Sequence, residues 1–171
     1  MIVSIEELKT VSELSNIPDE ELRLMSEGLE DFIRQYTNNN FINRNITFNT
    51  PSVEGKLEML SPLIKVGDSI LISNSQYNNG VYVLNSENGT LNRELYDCED
   101  NKVSLIQYPT AIKLGFVKLL KYNVRMDNKV GIASESISRH SVSYAQPDSS
   151  SIGGYPAHLM SFLKPYMKAR F

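Results

Sequence analysis

Residues 134–144 read SESISRHSVSY and place His140, Glu135, Arg139 and five serines within eleven positions. A serine hydrolase would need a serine, a histidine and an acid in mutual hydrogen-bond reach beside an oxyanion hole. This spacing does not supply that. His140 and Ser141 are neighbours, and neighbours on a strand point to opposite faces. No G-x-S-x-G turn occurs anywhere in the chain. The alternation from His140 predicts a half-exposed strand, with His140, Val142 and Tyr144 on one side and Ser141 and Ser143 on the other. A second cluster, YDCEDN at 96–101, gathers Asp97, Glu99 and Asp100 around Cys98, the sole cysteine. It lacks the alternating ligands, central glycine and distal glutamate of a calcium loop, so it reads as a turn with solvated acids. With acidic neighbours and no C-x-x-C partner, the Cys98 thiol is expected to have a raised pKa and little reactivity. His158 has no Cys or His at ligand spacing and reads as structural. No P-loop, dinucleotide-binding glycine motif or H-E-x-x-H is present. The sequence therefore points to no enzyme, no metal and no cofactor.

The elements that would carry these residues are legible from period and punctuation. Ser4 and Glu7 form a capping-box pair ahead of a helix over SIEELKTVSEL. A second helix starts after Pro18, with Asp19, Glu20 and Glu21 at its positive end and Leu22, Met25, Leu29, Phe32, Ile33 and Tyr36 on one face. Together they predict a two-helix hairpin. Residues 42–108 are rich in Gly, Asn, Ser, Val, Ile and Tyr. SILIS and GVYVL read as strands, and Asn79-Gly80 and Asn88-Gly89 as turns. About five short strands in a small barrel-like unit are expected here. A third helix follows Pro109, with Ile112, Phe116, Leu119 and Leu120 on its apolar face. A last helix begins near Pro156, with Leu159, Phe162, Leu163 and Tyr166 as its stripe, and Pro165 should kink or end it.

The fold class expected is thus α+β: a small helical bundle of about four helices from 1–41 and 109–171, an inserted β-rich domain over 42–108, and a C-terminal tail at 166–171. The chain has 171 residues, 41% of them hydrophobic and 22% charged, which suits a soluble globular protein with a real core. No apolar run is long enough for a membrane span, and the first ten residues lack the pattern of a secretory leader. One cysteine suits a reducing compartment. The net charge of −3 hides a gradient. Residues 1–41 carry nine acids and three bases, residues 42–108 eight and five, and residues 109–171 three and nine. Acidic and basic ends of this kind can pair within a chain or between copies. The β region is itself net acidic and has no Trp, which argues against nucleic-acid binding.

The order of IEELK, FIRQYT, YPTAIKLGFVKLL, ESISRHSVSY and GGYPAHLMSFLKPYMKARF resembles the head-tail connector, or head-completion adaptor, proteins of long-tailed bacteriophages of Gram-positive hosts. The resemblance covers about 1–41 and 109–171. The β region departs from the shortest such proteins, which join the second and third helices almost directly. The resemblance implies a structural virion protein of the phage neck, assembled in the host cytoplasm. It implies a homo-oligomeric, dodecameric ring below the portal protein. That ring extends the DNA channel, lets double-stranded DNA pass without specific binding, and offers a platform to the stopper or tail-completion protein. It implies no membrane partner. Under it, Arg139, His140 and Tyr144 belong to a subunit or partner interface, with Arg139 a bidentate donor to a carboxylate. Lys164, Tyr166, Met167, Lys168, Arg170 and Phe171 form a docking tail, with Tyr166, Met167 and Phe171 as apolar anchors. The alternative from the residues alone is a non-enzymatic binding module whose β region recognises a ligand or nucleic acid.

Overall fold

Ser4 opens the first helix, α1 (Ile5–Lys9). Its hydroxyl accepts the Glu7 N–H at 3.2 Å while the Glu7 carboxylate accepts the Ser4 N–H at 3.3 Å, so two donors with no helical partner are satisfied. The helix lasts one turn and does not reach Leu14 as its pattern predicts. Thr10 is the cause: its hydroxyl and its N–H both turn back to the Glu7 carbonyl, at 2.7 and 3.2 Å. A separate turn follows, closed by the Leu14 and Ser15 N–H groups on the Val11 carbonyl. Lys9 ties down the link by donating to the Ser15 and Ile17 carbonyls and pairing with Asp19 at 2.8 Å. The computed structural model describes residues 1–127, 134–137, 140–143 and 151–169.

The next helix, α2 (Asp19–Thr37), buries Leu22, Ser26, Leu29, Glu30 and Ile33 along one face. It ends where Asn38 takes φ 49°, the left-handed conformation that asparagine tolerates best after glycine. Helix α3 (Thr110–Asp127) starts after Pro109 and fully buries Ile112, Phe116, Leu119 and Leu120. Between them the chain forms five strands: β1 (Ile42–Val53), β2 (Lys56–Leu57), β3 (Ser69–Ser73), β4 (Gly80–Val83) and β5 (Cys98–Ile106). They make one curled antiparallel sheet, half a barrel, in the order β2-β1-β5-β3-β4. The fold is α+β.

After α3 come two short hairpins. In the first, β6 (Ser134–Ile137) pairs antiparallel with β7 (His140–Ser143), so the quoted stretch holds two strands rather than one. In the second, β8 (Ser151–Ile152) pairs with β9 (Tyr155–Pro156) around Gly153 and Gly154. A Cβ on Gly153, at φ +57°, would lie 2.5 Å from the Phe32 ring, so close approach as well as backbone angle requires glycine there. The Tyr155 ring lies 5.9 Å from Phe32 of α2 and 5.8 Å from Tyr122 of α3, tilted against both. The last helix is not continuous: α4 (Ala157–Met160) tightens into a 3-10 helix over Ser161–Tyr166. Pro165 explains this, since its ring would clash with the carbonyl four residues back in an α-helix. Among the described residues two α-helices are therefore long and two are single turns.

The chain divides into two compact units. One, the β unit, spans Arg34–Tyr108; the other, the helical unit, takes Ile2–Ile33 and Pro109–Ala169. The β unit closes on itself at its base. The Gln107 N–H donates to the Phe41 carbonyl at 2.8 Å, and the Phe41 and Tyr108 rings lie 4.9 Å apart. Phe41 sits at φ 52°, costly for a bulky residue, and this packing holds it there. In the helical unit Glu13 is clamped between Lys121, at 2.8 Å, and Arg125, both on α3. Those two cations hold the Glu13 carboxyl below its ordinary range, the Lys121 hydrogen bond contributing most.

Candidate functional site

One face of the β sheet changes character along its length. On β5, Leu105 and Val103 point into the apolar core, and Asn101 takes the next position on that face. On β1, Phe48 packs against the same core, and Thr50 and Ser52 follow it. Phe48 pairs with Val103 and Thr50 with Asn101, so both strands switch from apolar to polar at the same level. The polar end is completed by Asn78 from the loop between β3 and β4. Asn78, Asn101, Ser52 and Thr50 are all buried, and unpaired they would each be costly.

They are not unpaired. The Asn101 amide donates to the Thr50 carbonyl and the Ser52 hydroxyl, each at 3.1 Å. The Asn78 amide donates to the Asn101 side-chain oxygen and to the Ser52 hydroxyl, again at 3.1 Å. Asn78 also grips Tyr96 by both backbone groups: it accepts the Tyr96 N–H at 2.9 Å and donates to the Tyr96 carbonyl at 2.8 Å. Ser52 donates to that same carbonyl at 2.7 Å. The Ser75 hydroxyl accepts from the Asn78 and Tyr77 N–H groups at 3.1 and 3.4 Å. A buried, satisfied network therefore fixes the backbone under two surface tyrosines. Tyr77 and Tyr96 are exposed, with ring centroids 6.2 Å apart, edge to face.

Beside this pair lies an open groove of about 630 Å³ lined by Pro51, Ser52, Val53, Asn74 and Gln76 and by Asp97 through Asp100. The acids here are not on a turn, as the sequence suggested. Cys98, Glu99 and Asp100 form the first residues of strand β5, because Asn101 is drawn inward by the amide network and sets the register. The expected direction for Cys98 is also reversed. Hydrogen bonds with the Gln76 backbone, then the Asp100 backbone, then the Ser75 hydroxyl at 3.6 Å lower the thiol pKa, and they outweigh burial and the Asp100 charge, which raise it. Among the described residues no three or more His, Cys, Asp or Glu side chains converge on a point that could hold a metal.

Arg139, Tyr144, Arg170 and Phe171 fall outside the described residues. His140 begins β7 opposite Ile137, and Ser141 is its neighbour on the same strand. Lys164 and Tyr166 lie in the 3-10 helix, with Lys164 exposed and Tyr166 half-buried. Met167 and Lys168 follow, both exposed, with the Met167 N–H donating to the Lys164 carbonyl at 3.3 Å. His158 sits exposed in α4. Sequence reasoning missed the groove, because Asn78 and Ser75 read as ordinary turn residues. The available signal was the pair Tyr77 and Tyr96, two aromatics in otherwise polar segments.

No protein-family model matches the chain, and no curated protein matches it.

Proposed function

We propose that the protein is a structural part of a phage neck: a head-tail connector that forms a ring below the portal, extends the DNA channel and carries the stopper or tail. In this reading the helical unit is a small bundle, the β unit is a barrel-like domain inserted into it, and the chain is no catalyst. The observation that carries the reading is the arrangement of the chain. Most of the two terminal segments that bear the resemblance, 1–41 and 109–171, belongs to one unit as 2–33 and 109–169, whereas 34–41 falls in the β unit, which is closed at its base by Phe41 and Tyr108. The opposite charges of the two terminal segments add support, since a ring needs one face of a subunit to meet a different face of the next. An acidic overall balance suits a channel through which DNA must slide rather than stick.

The tail tests this directly. Deleting residues 167–171 should leave the fold intact, by circular dichroism, and abolish attachment to the portal and completion of heads. A truncated chain that still completes heads contradicts the tail's docking role. The groove favours a second reading, a binding module built on the β unit. Exposed tyrosines can stack on bases, but three carboxylates along the groove oppose a phosphate backbone. A salt titration with single-stranded and duplex DNA separates the two. The connector predicts no retention at physiological salt, whereas a nucleic-acid module predicts binding that weakens steeply as salt rises.

A further inference from the structure

The groove at the start of β5 combines a cavity with a rigid floor, and the exposed Tyr77 and Tyr96 adjoin its lining residues Gln76 and Asp97 in the chain. Tyr77 is 59% exposed, Tyr96 71% and the lining Val53 46%, so apolar surface is open to a partner at this end of the β unit. The Tyr96 backbone is held by Asn78 and Ser52 and the Tyr77 N–H by the Ser75 hydroxyl, so little ordering entropy remains to be lost on binding. Charge selects the occupant. Asp97, Glu99 and Asp100 make no ion pair among the described residues. Carboxylates lining a groove that also carries Pro51 and Val53 suit a lysine, whose methylene stem lies on apolar surface while its ammonium meets the acids.

Helix α3 carries the complementary surface. Leu114 is 62% exposed, and Lys113 and Lys118 are exposed beside it and one turn on. Further along the same helix Lys121 and Arg125 are spent on Glu13, but Lys113 and Lys118 have no acidic partner among the described residues. One half of α3 is thus satisfied within the chain, and the other half presents an apolar anchor between two unpaired cations.

We propose that the groove of one copy receives the Lys113–Leu114–Lys118 face of α3 from a second copy, with Leu114 against the tyrosine rings and the lysines against Asp97, Glu99 and Asp100. Groove and helix face are different surfaces, and joined head to tail rather than as a reciprocal pair they make the heterologous contact that a ring requires. The inference rests on the ring reading above and names the surface through which the ring forms.

The natural cysteine makes the contact testable. Cys98 lines the groove and is the sole cysteine, so Leu114→Cys adds one thiol at the proposed anchor. With oxidised glutathione, one thiolate attacks a glutathione sulfur and releases glutathione. The second thiolate then displaces the other glutathione, so two protein thiols become one disulfide and the oxidant is reduced to two thiols. The expected product is a disulfide between Cys98 of one copy and the thiol introduced at position 114 of the next. It is seen as a ladder of covalent oligomers and mapped by peptide mass. The control Leu24→Cys, at an exposed position on α2, should give none. Equal cross-linking from both variants, or only like-to-like bonds, overturns the proposal. Native mass separates its failure from that of the ring reading. Self-association without the bond from Cys98 to position 114 puts the interface elsewhere and leaves the ring standing. A monomer at every concentration with no cross-link removes both. Lys113→Glu with Lys118→Glu should weaken self-association about tenfold or more, and adding Asp97→Lys with Glu99→Lys should restore it.

Discussion

The helical unit is filled by Leu22, Leu29, Ile33, Ile112, Phe116, Leu119 and Leu120, whereas one end of the β unit's interior is made of amides and hydroxyls. Apolar packing holds elements together without fixing any one loop closely. The Asn78–Asn101–Ser52 network does the opposite: its amides and hydroxyls bond to one another and to the Tyr96 backbone, so it sets where Tyr96 stands. The comparison suggests a division of labour, with helices giving bulk stability and the β unit giving a preorganised surface.

The largest expected effect tests whether the units are separate in cooperativity. Phe116→Ala should cost about 3–5 kcal/mol and strip amide-exchange protection from 2–33 and 109–127 while 34–108 keeps its own. Equal loss in both regions would break the comparison. Next, Asn101→Ala removes three buried hydrogen bonds, from the Asn78 amide to its oxygen and from its own amide to the Thr50 carbonyl and the Ser52 hydroxyl, and should cost about 1–3 kcal/mol in urea unfolding. It should also broaden the Tyr96 backbone resonances, which a merely space-filling asparagine would not affect. Ser4→Ala removes half of the capping box and should cost about 1 kcal/mol, confined to α1.

The smallest effect is a pH dependence. Glu13 has its folded pKa depressed below 4.5 by Lys121 and Arg125. Its contribution is therefore complete above the unfolded value and is lost as pH falls through the folded one. Thermal melts of the intact protein should show a fall on the acid side of about pH 4.5 that Glu13→Gln removes. An unchanged profile would mean that the clamp adds nothing.

Helices were legible because their signals are local. Ser4 with Glu7, Pro18 before Asp19 and Pro109 before Thr110 each mark a start within a few residues. Strands β3 and β4 were legible as SILIS and GVYV between turn residues. The interior of the β unit was not, because asparagine and serine have the same composition whether they cap a solvated turn or bridge buried strands. Asn101 lies twenty-three positions from Asn78 in sequence, and only the sheet register joins them. The start of β5 was misread for the same reason: acids at Glu99 and Asp100 look like a turn until a buried Asn101 fixes the strand. The shortened α1 and the 3-10 ending reflect competition that periodicity ignores, from Thr10 bonding back to Glu7 and from Pro165.

The most direct test of the structural-part account is the native mass of the full chain, alone over a range of concentration and salt, and mixed with the portal ring. The account predicts multiple copies in one complex, either free or on the portal, with self-association weakening as salt rises. A chain that stays monomeric in every condition and ignores the portal would contradict it.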